Sequence, residues 1–123
     1  MHTFLRRALW LDAATCAAMG VLLTLAATPL ASFLGLPSAL LAWAGAALFP
    51  IAAFMGWLAV REDVSRPLTW IVILGNAAWV LGSALVLVVL SPSALGYAFV
   101  IAQAIAVLLL AELEYVGLRK AVL

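Results

Sequence analysis

The chain has 123 residues, of which 69% are hydrophobic and 9% charged, with a mean hydropathy of +1.30. A soluble domain carries about 25% charged residues, so a water-facing shell is excluded, and the length allows one domain, residues 1–123. Six basic and five acidic residues leave a net charge of +1 with no basic stripe, which excludes nucleic acid as a partner, and the single Cys16 excludes an intrachain disulfide or a C-x-x-C redox centre.

The charges fall in three clusters: Arg6, Arg7 and Asp12; Arg61, Glu62, Asp63 and Arg66; Glu112, Glu114, Arg119 and Lys120. Residues 13–60 and 67–111 carry none. A helix crossing the hydrocarbon layer needs about 20 residues, so each charge-free stretch holds two crossings and a turn. The expected fold is all-α: an integral membrane four-helix bundle built from two helical hairpins. Helices satisfy their own backbone in lipid, so strand-like runs such as Leu85–Leu90 do not change the assignment.

The first span is expected over about 9–28, ending at Pro29. Its apolar run of about 20 residues exceeds the 7–15 of a signal-peptide core, so it reads as a retained span. The turn from Pro29 to Pro37 is unusually apolar and would lie on the outer interface. The second span covers about 38–60, introduced by Pro37 and Ser38. The third covers about 67–90, ending before Ser91-Pro92-Ser93, and the fourth about 94–118. All six Lys and Arg residues then fall on one side. The positive-inside rule predicts both termini and the middle loop in the cytoplasm of a multi-pass protein of the bacterial inner membrane. Trp10, Trp57 and Trp70 fall near that face and Trp43 near the other, as an aromatic belt would.

Polar groups inside spans are costly and usually face the protein interior. Asp12 lies five residues from Arg7, and Glu114 five from Arg119, so both sit roughly 7–8 Å inside the basic rim. Two carboxylates at one level could share a proton, as in a proton-coupled site; the bland alternative pairs each with a neighbouring arginine or lysine. Gln103 and Glu114, eleven residues apart, share a helix face, whereas Glu112 lies opposite and would reach headgroups or a second subunit. Asn76, ten residues past Arg66, is roughly 15 Å deep, on a stripe with Trp79 and Ser83. Pro50 lies at nearly the same depth in the second span and frees the carbonyl of Ala46, giving an expected helix kink. Either the Asn76 amide or a water satisfies that carbonyl, or Asn76, Gln103 and Trp79 line a small ligand cavity with Phe49 as a second wall. The candidate intramembrane polar site is thus Asp12, Asn76, Gln103 and Glu114. In the first span Asp12, Thr15, Cys16 and Met19 share a face, and Cys16 reads as a small packing residue. Gly45 to Gly56 presents small residues for close packing within the bundle or against another copy.

The layout is similar to small multidrug exporters and small fluoride channels, but their motifs are not matched and no site residue is carried over. Asn76-Ala77-Ala78-Trp79, Ala102-Gln103-Ala104 and the run from Ala111 to Arg119 resemble small bacterial four-helix inner-membrane proteins, a resemblance that brings no activity. His2 is the one histidine, Cys16 lacks a partner base, and no metal cluster or phosphate loop is present, so no enzyme, cofactor or metal is expected. The functional expectation is a polytopic membrane protein acting through helix association, as an accessory subunit or a homo-oligomer. The alternatives are a small oligomeric transporter or channel using Asp12 and Glu114, and a bundle that binds a lipid or other apolar ligand.

Overall fold

The structure, a computed structural model, describes residues 3–62 and 65–122; His2, and Asp63 of the middle charge cluster, lie outside the described residues. The described chain is all-helical: α1 Thr3–Leu25, α2 Ala27–Leu34, α3 Ser38–Val60, α4 Arg66–Leu90 and α5 Ala94–Val122. Four of the five helices are long and apolar enough to cross a membrane, which points to a membrane protein. Their outward faces carry large apolar side chains, with Leu25, Trp43 and Val88 each more than three-quarters exposed, a surface that lipid tolerates and water does not.

Besides α5, which runs on to Val122 past the expected end at 118, two boundaries differ from the sequence expectation. First, α1 begins six residues before Leu9 and ends at Leu25. Second, the turn after it is mostly helix: α2 runs through Pro29. A proline stops a helix only where its missing N–H is needed. Pro29 occupies the first turn of α2, where that N–H has no intrahelical partner anyway. The helix ends at Gly35 in the left-handed conformation, φ 66°, and the Gly35 and Leu36 N–H groups both donate to the Ala31 carbonyl at 3.0 and 3.3 Å. That arrangement closes the last turn and suits glycine.

Along the chain, α1 packs on α3 and α4 on α5, and α1 against α5 joins the two pairs, while α3 and α4 scarcely touch. The close approaches are made at glycines. A Cβ on Gly45 would stand 2.6 Å from Thr24 Oγ1 of α1, and one on Gly117 2.8 Å from the Leu5 Cα. The expected small-residue face of α3 therefore packs on α1 at Gly45, whereas Gly56 meets only the Trp10 ring.

The basic residues gather at one end. Arg6 donates from Nε to the Ala59 carbonyl at 2.7 Å, and from Nη2 to the carbonyls of Arg61 at 2.6 Å and Glu62 at 3.1 Å. It thereby satisfies orphan acceptors where α3 ends, and its charge complements that end of the helix dipole. Lys120 lies 4.6 Å from the Phe4 ring centroid, Arg61 4.7 Å from that of Trp57 and Arg119 5.8 Å from that of Tyr115. Arg6→Ala is expected to cost about 1–2 kcal/mol by stranding those carbonyls. Arg6→Lys should recover only part, because a lysine cannot reproduce the fork; thermal unfolding in detergent reads both.

Candidate functional site

The deepest polar feature joins three helices. Asn76 of α4 donates from Nδ2 to Asp12 Oδ2 of α1 and to Glu114 Oε1 of α5, each at 2.8 Å. An amide nitrogen has two hydrogens, so both are spent, and the two acceptor oxygens lie within twice that distance of each other. Asp12 is 1% exposed and Glu114 0%. Cys16, one turn beyond Asp12, donates from Sγ to Asp12 Oδ1 at 3.6 Å, so both Asp12 oxygens accept. Glu114 differs: its Oε2 is buried without a partner. Among the described residues the side-chain donors to the two carboxyl groups are Asn76 and Cys16, and the guanidinium of Arg6 is engaged at the end of α3.

This arrangement corrects two expectations. Asp12 and Glu114 meet through an amide and not through the basic rim. The Asn76 amide donates to the two carboxyl groups and not to the Ala46 carbonyl. Counting depth from the flanking arginines also sets Asn76 well above the carboxylates, whereas the structure puts it in contact with both. The zero points were unequal: Arg66 opens α4, whereas Arg7 lies inside α1 and α5 runs on past Arg119.

A second polar cluster lies further along α4 and α5. Trp79 donates from Nε1 to Gln103 Oε1 at 2.9 Å, and Gln103 donates from Nε2 to Ser83 Oγ at 2.7 Å and to the Val100 carbonyl at 2.9 Å. Ser83 Oγ donates in turn to the Trp79 carbonyl at 2.8 Å. The indole, amide and hydroxyl are mutually satisfied. As residue numbers rise along α4 from Asn76 to Ser83, partners fall along α5 from Glu114 to Gln103, as antiparallel helices require.

Both clusters border the gap between α3 and α4. One cavity of about 420 Å³ is lined by residues including Leu40, Ala44, Trp79, Gly82, Phe99 and Gln103. A second, of about 330 Å³, is lined by residues including Cys16, Pro50, Phe54, Val72, Asn76 and Trp79. Gly75 and Trp79 border both. Phe49 lines neither; it is 41% exposed and lies over Gly20. Glu112 is exposed, on the side of α5 away from Glu114.

Sequence reasoning did not find Cys16 as a donor to Asp12, although the i, i+4 spacing of a thiol and a carboxylate on one helix face is the signal that would have found it. Nor did it find the Gln103–Ser83 contact, which no spacing rule links across two helices. Among the described residues no group of three His, Cys, Asp or Glu side chains is placed to hold a metal ion. Compared with models of protein families, with curated proteins and with solved structures, the chain matches none of them.

Proposed function

We propose that this chain is a non-enzymatic multi-pass protein of the bacterial inner membrane, with both termini cytoplasmic, that binds a lipid hydrocarbon chain in the cleft between α3 and α4. The observation that carries the proposal is the cleft itself. Two cavities of about 420 and 330 Å³ share the Gly75 and Trp79 wall, and volumes in this range suit a small-molecule site. The chemistry of the wall selects the ligand class. The polar groups of Trp79, Ser83 and Gln103 bond to one another or to the helix backbone, and both hydrogens of Asn76 are spent on carboxylates. The wall keeps no donor spare for a polar ligand, and its remaining surface is apolar. Six basic residues in three clusters, with charge-free stretches between them, support the orientation.

A second reading, association as an accessory subunit or a homo-oligomer, is favoured by the open space beside Gly75 and Gly82, where a Cβ would meet nothing within 4 Å. Small residues with free space allow a partner helix to approach closely.

Gly82→Leu separates the two, because it puts a bulky side chain into the cleft from a position whose Cβ meets nothing within 4 Å. Lipid retained after purification in mild detergent, counted by native mass spectrometry, is expected to fall at least fivefold in Gly82→Leu while the unfolding temperature changes little. Unchanged lipid with a lost oligomer would replace the binding proposal by the association one. Transport would follow only if flux through reconstituted vesicles depended on Asp12 and Glu114.

A further inference from the structure

We propose that Asp12, Asn76 and Glu114 form a binding site for a single proton, carried on Glu114 Oε2. The geometry singles out that atom. Both Asp12 oxygens accept hydrogen bonds, from Asn76 and Cys16, and Glu114 Oε1 accepts from Asn76. Only Oε2 of the four carboxyl oxygens is buried and unpartnered, and a buried polar atom left unpaired is costly. An O–H on Oε2 resolves this, because it turns the unpaired acceptor into a donor while the shared Asn76 amide holds the Asp12 carboxyl, an acceptor, beside Glu114. Each group then has one role: Asp12 accepts three times, Glu114 accepts once and donates once, and Asn76 donates twice.

The charges around the site leave the proton as the compensating cation. On α1, Cys16 faces Asp12 as a donor, while Arg6 is held at the end of α3 and Arg7 is exposed. On α4, the facing group is Asn76, and Arg66 lies exposed at the helix start. On α5, Glu112 is exposed and Arg119 and Lys120 lie over the rings of Tyr115 and Phe4. Within α3, residues 38–60 contain no charged side chain. Two adjacent buried carboxylates without a basic partner do not both ionise, and one proton shared between them is the usual solution. A metal cation fits poorly, because hard cations need about six oxygen ligands and the Asn76 amide turns its nitrogen, not its oxygen, to both carboxyl groups. The proton site stands whether or not the cleft takes a ligand.

Infrared spectroscopy of the full chain in lipid bilayers at neutral pH tests it. One protonated-carboxyl carbonyl band is expected, moved by labelling glutamate carboxyls with carbon-13 and unmoved by the same label in aspartate. Glu114→Gln should abolish the band yet fold, since glutamine keeps the carbonyl for Asn76 and turns an N–H toward Asp12. Asp12→Asn should keep it at a shifted frequency. The absence of the band from the wild type, or a band that follows the aspartate label, would overturn the proposal. So would a rise in unfolding temperature produced by sodium chloride and not by potassium chloride.

Discussion

Asn76→Leu is expected to lower the unfolding free energy by about 3–5 kcal/mol, the range found when one member of a buried charged cluster is removed. The amide is the shared donor of Asp12 and Glu114, so leucine, which has no hydrogen to donate, leaves two buried carboxyl groups facing one another. Unfolding in mixed micelles measures the loss, and the decisive comparison is the same substitution in an Asp12→Asn, Glu114→Gln background. There the two amides supply donors of their own, and the cost should shrink to about 1 kcal/mol, the scale of an interhelical hydrogen bond in a membrane. An equal loss in both backgrounds would mean that Asn76 matters for its volume and not for its hydrogens.

The second large effect is expected at Gly96, from the addition of a single methyl group. A Cβ there would collide with the Leu34 carbonyl oxygen and come within 2.7 Å of the Pro92 Cβ. The neighbourhood cannot yield cheaply. Ser93 N–H donates to that same Leu34 carbonyl at 3.0 Å, Ser93 Oγ donates to the Phe33 carbonyl at 2.8 Å, and the Gly96 N–H donates back to Ser93 Oγ at 3.1 Å. Gly96→Ala is therefore expected to cost about 3 kcal/mol, the upper part of the range for overpacking. Gly75→Ala and Gly82→Ala should be neutral or mildly stabilising, since alanine is the better helix former and nothing lies within 4 Å of either new Cβ. Chemical unfolding of the three variants side by side checks the contrast. A Gly96→Ala protein as stable as Gly82→Ala would show that the end of α2 moves freely on α5.

The helices were legible because charge is sparse. The uncharged runs 13–60 and 67–111 leave few ways to place four long apolar helices, and the structure contains four. What composition could not show was α2, because Pro29 looks like a stop unless it is known to fall in a first turn. Within the candidate site, helical phase carried further than depth. Eleven residues separate Gln103 from Glu114, and both turn toward α4 in the structure. Counting rise per residue kept Asn76 apart from Asp12 and Glu114, because each count began at a different height. The weak contact between α3 and α4 had no trace in the sequence, since α3 is apolar all round and, apart from the Asn76–Trp79–Ser83 stripe, α4 shows no face that lacks a neighbour. Phe49, an expected cavity wall, lies over Gly20 for the same reason.

The adjoining pair α1 and α5 acts as the spine of a half-open book. Arg6 fastens one end of the binding to the close of α3, and Ser93 fastens the other end to α2. None of the side-chain hydrogen bonds among the described residues joins α3 to α4, so at the fore-edge the two helices meet only through sparse apolar contacts. A movement of α3 away from α4 would therefore break apolar contacts, while the Asp12–Asn76–Glu114 clasp ties together only α1, α4 and α5. If the cleft takes a lipid chain and the clasp a proton, as proposed, the two answer to different helices.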